Sequence, residues 1–222
     1  MKQLFAFLTL ALLLPMQMLA QSQLYEHHFD LKEVQLLDGP MKTALERNNQ
    51  LLLQYDADRL LSPFVRQAGL STGRYAGWLQ AHPIFKNWGG DAGFDLNGHV
   101  GGHYVSALAL AYAATVDGDM RRQLKERLDY VLDVLNDCQQ AYDNDQQGMR
   151  GFLGGQPIND SWRAMADGDL SKIRSNWGWV PFYCEHKVLA GLRDAYLYAD
   201  SELAKEMFRK MADCCKGTNN FP

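Results

Sequence analysis

Residues 98–114 read GHVGGHYVSALALAYAA, and this stretch decides the fold class. Apolar residues occupy nearly every face of a helix drawn through it, which indicates a helix that is buried on all sides. We expect this helix to span residues 99–116. The turn Asp117-Gly118-Asp119 follows, and apolar residues at helical spacing from Met120 to Tyr142 predict a second, amphipathic helix packed against the first.

The same pattern of two helices occurs again 84 residues later, where Ala195-Tyr196 corresponds to Ala111-Tyr112. Here we expect helices over residues 184–198 and 201–215. Repeated helical hairpins are typical of a solenoid or of a closed α/α toroid. In a toroid the apolar helices lie inside, and the loops before them meet at one mouth.

The first part of the chain predicts a long helix followed by a long loop. Pro40 suits a first helical position, and we expect one helix from Met41 to Leu61 that ends before Pro63. Residues 69–98 are rich in glycine and aromatic side chains. A loop of this length in a compact domain usually carries function.

Composition excludes several classes of protein. The 222 residues are 47% hydrophobic and 22% charged, which is ordinary for a globular chain and not for a disordered or fibrous one. The net charge of −4 argues against a nucleic-acid partner, which requires a basic surface. Four cysteines are too few for a small scaffold held together by disulfides.

The N-terminus predicts an export signal over residues 1–20. Lys2 precedes the apolar run Leu4 to Leu14, and Ala20 is a small residue before a polar segment. The mature domain would then span residues 21–222 and be periplasmic or extracellular. We expect no membrane contact after cleavage, because no other segment is long and apolar enough to cross a bilayer.

Histidines stand at the start of both apolar helices and are candidates for binding a polar, hydroxyl-rich ligand. His99 and His103 are four residues apart and share a helix face, and His186 opens the second apolar helix. A neutral imidazole both donates and accepts, which matches a pair of hydroxyl groups. His103 is equally suited to a hydrogen-bonded core position. The spacing of His99 and His103 also suits a metal ion, but no third ligand supports one, so we predict no metal site.

Three further residues are candidates with structural alternatives. Trp78 and Trp88 are candidates for stacking on a ligand ring, although aromatic loop residues more often close a core. Asp95 is a candidate acceptor for a hydroxyl group, or else a cap for the helix that follows.

Several motifs together resemble glycoside hydrolase families 127 and 146, the β-L-arabinofuranosidase-like proteins. The resemblance covers residues 30–215 and rests chiefly on Gly98-His99-x-x-Gly102-His103-Tyr104-x-Ser106-Ala107 and His186-Lys187-x-x-Ala190-Gly191-Leu192-x-Asp194-Ala195-Tyr196. Further matches are Leu36 to Pro40, Asp58 to Leu61, Ala68 to Leu70, Gly77-Trp78 and Gly151 to Gly155. The resemblance implies an all-α fold of the (α/α)6-barrel type within a longer protein. We therefore expect this chain to be the N-terminal part of such a barrel, incomplete by itself.

The resemblance also implies an activity, the hydrolysis of L-arabinofuranosides or related glycosides, and a cofactor. In these families a zinc ion, held by three cysteines and a glutamate, positions a cysteine nucleophile, and a second glutamate is the general acid/base. Zinc ligation lowers the cysteine pKa. Cys184-Glu185 has the wrong order and spacing for that set. Cys214-Cys215 lies on a predicted amphipathic helix, where neighbouring side chains point about 100° apart. We therefore expect no zinc and no catalytic residue in this chain, which contributes sugar-binding residues His99, His103, His186, Trp78, Trp88 and Asp95.

Two alternatives stay open. The chain is either part of an exported hydrolase that acts on an oligosaccharide or glycoside, or a non-catalytic glycan-binding or truncated helical module. A different α/α-barrel enzyme, such as an unsaturated uronyl hydrolase or a lyase, is disfavoured by the two histidine motifs.

Overall fold

A computed structural model describes residues 29–85, 96–143, 149–157, 162–164, 169, 171 and 181–216. The chain divides into two units, Met1–Val34 and Gln35–Pro222. The described part of the first unit contains one 3-10 turn, Leu31–Glu33, in which the Asp30 backbone N–H donates to Glu33 Oε2 at 2.9 Å. The predicted export signal lies outside the described residues.

The second unit is built from helices, and its described part contains no strand. They are α1 (Pro40–Gln54), α2 (Ala57–Gln67), the single turn α3 (Trp78–Ala81), α4 (His99–Ala114), α5 (Gly118–Gln140), α6 (Pro181–Ala199) and α7 (Glu202–Lys216), with a 3-10 turn at Gly73–Tyr75. This confirms the predicted all-α class and the helical hairpins of an α/α-barrel-type domain. Within the described ranges, no helix has the length and apolar character needed to cross a membrane.

Helices α4 and α6 make the most extensive contact between described helices, and their backbones meet directly. A Cβ atom built on Gly102 would lie 2.3 Å from the carbonyl carbon of Lys187. One built on Gly191 would lie 2.5 Å from the Gly102 carbonyl oxygen. Only glycine permits so close a crossing. The glycines of the two histidine motifs therefore set the distance between the two apolar helices.

The amphipathic helices cover this inner pair from outside. Helix α5 packs on α4, and α7 packs on α6. The apolar face of α5 is buried, while Arg122 and Glu126 form an ion pair at 2.9 Å on its exposed face. The predicted pairing of an apolar inner helix with an amphipathic outer helix is confirmed in both hairpins.

The prediction of one helix from Met41 to Leu61 was wrong. The helix stops at Gln54, because Tyr55 takes an extended conformation, and α2 starts at Ala57. The carboxylate of Asp56 caps α2 by accepting from the Arg59 backbone N–H at 3.2 Å. Pro63 does not end α2 and is buried inside it. Burial of that helix face outweighs the one backbone hydrogen bond that Pro63 removes.

Candidate functional site

The glycine-rich loop 151–156 packs against the N-terminal end of α4. A Cβ on Gly155 would lie 2.8 Å from both the nitrogen and the Cα of Gly98. Gly151 has a φ of +83°, and a Cβ there would lie 2.6 Å from the Lys210 carbonyl oxygen of α7. The loop thus touches both hairpins through backbone contacts, and it lies beside the histidines that open α4 and α6.

The three histidines singled out in the sequence come together at the N-terminal ends of α4 and α6. The ring centroids of His99 and His103 are 6.2 Å apart, and that of His99 is 5.9 Å from that of Tyr183. The pKa of His103 is lowered by partial burial, and also by the neighbouring charges of Lys187, His99 and His186. We call this group, with Tyr183 and Lys187, the histidine cluster.

The hydrogen bonding of His99 determines which ring nitrogen accepts. Its Nδ1 is hydrogen-bonded to the Leu96 backbone carbonyl. Because a carbonyl oxygen only accepts, Nδ1 carries the hydrogen, and Nε2 of the neutral ring is left as the acceptor. His103 and His186 are exposed, whereas His99 is half-buried. The cluster therefore offers imidazole groups, an aromatic ring and one ammonium group to a ligand from solvent.

Two buried titratable groups lie next to the cluster in α6. Glu185 is 4% exposed, and neither carboxylate oxygen has a hydrogen-bond partner in the described structure. Burial raises its pKa well above the ordinary value. Burial, with the nearby Glu185 charge, raises the pKa of the Cys184 thiol to about 12. Its sulfur accepts a hydrogen bond from Gln156 Nε2 at 3.3 Å. Burial therefore favours the protonated form of both groups.

Glu185 is a candidate functional residue that sequence reasoning did not select. A Cβ on Gly154 would lie 2.2 Å from Glu185 Oε1, so the carboxyl fills the space that this glycine leaves. The available signal was a charged residue directly after the apolar run Phe182-Tyr183-Cys184. Its burial depends on the loop 151–156, which is distant in sequence, and so could not be read from local pattern.

Of the remaining predicted residues, the structure describes only Trp78. Trp78 is buried, and its indole N–H donates to Ser62 Oγ at 3.1 Å. Its ring lies 5.3 Å from that of Tyr75 and 5.0 Å from that of His82. Trp78 therefore occupies a core position, which the sequence analysis gave as the alternative to stacking on a ligand ring. Trp88 and Asp95 lie outside the described residues, and their roles stay predictions.

The described residues do not assemble the zinc–thiolate set that the family resemblance implies. The thiols of Cys138 and Cys184 are buried on different helices, and the group of possible metal ligands found among the described residues contains no cysteine. Cys214 is half-buried beside the aromatic cluster of Tyr142, Met149, Phe152 and Trp162, and the Cys215 side chain lies outside the described part.

A different group of possible metal ligands occurs in the described structure, at the start of α2. Ligand atoms of Asp56, Asp58 and His82 lie within 4.8 Å of one another. Their oxygens already have local partners, since Asp56 caps α2 and Asp58 accepts from the Tyr130 hydroxyl at 2.5 Å. No sequence pattern indicated this group, because His82 is 24 residues from Asp58. The bond between Tyr130 and Asp58 connects α5 to α2. Both carboxylates therefore have hydrogen-bond partners without a metal ion.

Comparison with known proteins gave one family. A family model described as the catalytic domain of β-L-arabinofuranosidase, GH127, matches residues 33–222. The match includes both helical hairpins, the loop 151–156 and the histidine cluster. No curated protein was similar enough to count as a relative.

Proposed function

Because the chain belongs to the GH127 β-L-arabinofuranosidase family, we propose that it is part of an exported glycoside hydrolase whose histidine cluster binds an L-arabinofuranoside or a related sugar. Membership of the family gives a glycoside hydrolase domain and therefore a glycoside substrate. The identity of the sugar, the export of the protein and the assignment of sugar binding rather than bond cleavage to the described residues are parts of the proposal.

The observation that carries the proposal is the convergence of His99, His103 and His186 at one end of the inner helices. The lowered pKa of His103 keeps its ring neutral near pH 7, so that it donates from one nitrogen and accepts at the other. His99 Nε2 adds a second acceptor. Vicinal hydroxyl groups of a furanose need this combination of donors and acceptors.

The rest of the cluster suits the same ligand. Tyr183 is 42% exposed and presents its ring beside His99. The Lys187 ammonium lies 4.8 Å from the centroid of that ring. A ring face covers the apolar side of a sugar, and an ammonium group donates to its oxygens. These residues bind and orient the sugar.

We further propose that the described residues do not cleave the glycosidic bond. The buried Cys184 thiol, with its raised pKa, is unsuited to nucleophilic attack. The Glu185 carboxyl is covered, so it does not reach a glycosidic oxygen. The alternative, a non-catalytic glycan-binding module, is supported by the same two observations. In both candidate functions the histidine cluster binds the sugar.

The test is the binding of 4-nitrophenyl α- and β-L-arabinofuranosides, measured by calorimetry, with release of nitrophenol recorded in parallel. We expect His99→Ala to weaken binding about tenfold, since it removes a hydrogen bond to the sugar. His82→Ala is the matched control, because His82 packs on Trp78 outside the cluster. Equal affinities of the two variants would contradict the binding role. Release of nitrophenol by the purified chain would contradict the non-catalytic assignment.

A further inference from the structure

A cavity of about 520 Å³ lies between α1 and the turn that joins α4 to α5. Asn49 of α1 and Thr115 at the end of α4 contribute to its wall. Helix α4 has 16 residues, so about 24 Å separates this cavity from the histidine cluster at the other end of the helix. Nothing in the proposed function uses the cavity.

The hydrogen bonds of Asn49 leave one buried acceptor without a donor. Asn49 is 2% exposed, and its Nδ2 donates to Thr115 Oγ1 at 2.7 Å. Thr115 in turn donates its single hydroxyl hydrogen to the Ala111 carbonyl at 2.6 Å. The threonine oxygen can therefore only accept from Asn49, which fixes the orientation of the amide. Asn49 Oδ1 then has no partner among the described residues.

The charges on the wall favour a cation. Glu46, Asp117 and Asp119 line the cavity, and Lys42 is the single cationic residue among its described lining residues. The Lys42 ammonium is already paired with Asp38 at 2.7 Å. The lining residues therefore carry two more negative than positive charges, beside the carbonyl acceptor of Asn49. Two of the acidic groups already have partners, since Asp119 lies 3.7 Å from the Arg122 guanidinium and Asp117 accepts from the Met120 backbone N–H at 2.8 Å.

The remaining wall is partly aliphatic and partly formed by the side chains of Gln35, Gln50 and Gln123. Leu45 and Met120 supply apolar surface for a short hydrocarbon chain. Asn49 Oδ1 is covered in this structure, but the wall segment 35–36 has no regular secondary structure, and Leu36 is 39% exposed. Access of a ligand to Asn49 Oδ1 would require this segment to move, which breaks no helix.

We propose that this cavity binds a small aliphatic primary ammonium compound. One N–H group meets Asn49 Oδ1, the Glu46 carboxylate balances the charge, and the methylene groups lie on Leu45 and Met120. A primary ammonium has three donors and no acceptor, which matches a wall rich in acceptors. The proposal is independent of the sugar-binding role of the histidine cluster.

The test is titration of the full chain with 1,4-diaminobutane at low ionic strength, followed by calorimetry and by amide chemical shifts of α1. We expect a dissociation constant of about 1 mM that rises with salt, because the wall charges are screened. Glu46→Gln should weaken binding about fivefold, and Asn49→Leu about tenfold. Glu206→Gln on α7 is the matched control and should bind as the parent does. Glu46 is exposed, so its variant tests the site even if Asn49→Leu fails to fold.

Three results would overturn the proposal. Equal binding of 1,4-bis(trimethylammonio)butane, which has both charges but no N–H group, would show that no hydrogen bond to Asn49 is made. Binding of a neutral polyol such as sorbitol in place of the diamine would assign the cavity to another ligand class. Absence of any saturable binding would mean that the cavity is not an ammonium site and that Asn49 Oδ1 accepts from a water molecule instead.

Discussion

The buried carboxyl of Glu185 lowers the stability of the folded chain. Its carboxyl is buried in the first turns of α6, without a hydrogen-bond partner in the described structure. Desolvation alone accounts for its raised pKa, so no cation offsets the loss of water. A polar group in this position destabilises a protein and is often retained at a functional site. The neighbouring residue His186 belongs to the histidine cluster.

Replacement of Glu185 by leucine should stabilise the chain. We expect Glu185→Leu to raise the free energy of unfolding by about 1–3 kcal/mol, because it removes an unpaired buried polar group of similar size. Denaturant unfolding measures the change. Glu206→Gln, at an exposed position of α7, is the control and should shift it little. A loss of stability in Glu185→Leu would mean that the carboxyl has a partner after all.

The same carboxyl should make stability depend on pH. In the unfolded chain its pKa is near 4.5, and in the folded chain it is higher. The folded state therefore keeps a proton that the unfolded state releases between the two values. The free energy of unfolding should fall as pH rises above about 4.5, by at most about 1.4 kcal/mol per pH unit. This slope should be smaller in Glu185→Gln, and an unchanged slope would assign it to other groups.

At the scale of the helices, the crossing of α4 and α6 depends on two glycines. Gly102 and Gly191 lie where the two backbones touch, and a methyl group has no space at either position. Side chains of both helices then pack around the crossing, with Val105, Leu108, Val188, Leu192 and Ala195 all buried. Glycine normally weakens a helix, so here the close approach outweighs its poor helix propensity.

Replacement of glycine by alanine normally stabilises a helix. At the crossing we expect it to destabilise the protein. Gly102→Ala should lower the free energy of unfolding by about 3 kcal/mol, since the added methyl group meets the backbone of Lys187 and the helices must separate. Gly118→Ala is the matched control, because nothing lies within 4 Å of a Cβ there, and it should be neutral or slightly stabilising. Thermal unfolding compares the two. Equal effects would show that the crossing can relax without cost.

Sequence reasoning was most successful where the periodicity was strong. The apolar helix around Leu108 and the amphipathic helix that follows were both predicted, because their patterns are long and unambiguous. The break at Tyr55 was missed, since the capping role of Asp56 competes with a helical pattern that continues through it. The unpaired groups of Glu185 and Asn49 depend on contacts between distant segments. Local pattern contains no information on such contacts.

At the scale of the whole molecule, the family match and the predicted export signal occupy different parts of the chain. The match begins at residue 33, whereas the predicted signal ends at Ala20. The histidine cluster, both hairpins and the cavity beside Asn49 all belong to the second unit, Gln35–Pro222. Removal of residues 1–20 therefore takes away no residue on which the proposed functions rest.

Export should be visible in the mass of the mature chain. We expect the protein recovered from the periplasm or the medium to begin at Gln21, because a small residue precedes the expected cleavage position. Mass spectrometry of the intact chain measures this. Lys2→Glu together with Leu10→Arg should abolish processing by disrupting the charged and apolar regions of the signal. Recovery of the uncleaved chain in the cytoplasm of the same host would contradict the prediction.

The glycine contacts also order the events of folding. Within each hairpin, α4 with α5 and α6 with α7, the contacting residues are near in sequence, and such contacts form quickly. The contact between Gly102 and Gly191 closes a segment of nearly ninety residues, and the docking of Gly155 on Gly98 needs α4 already in place. His99 and His186 therefore become neighbours only in a late step. A ligand that binds the histidine cluster should slow unfolding, because it stabilises the contact between α4 and α6, which forms last.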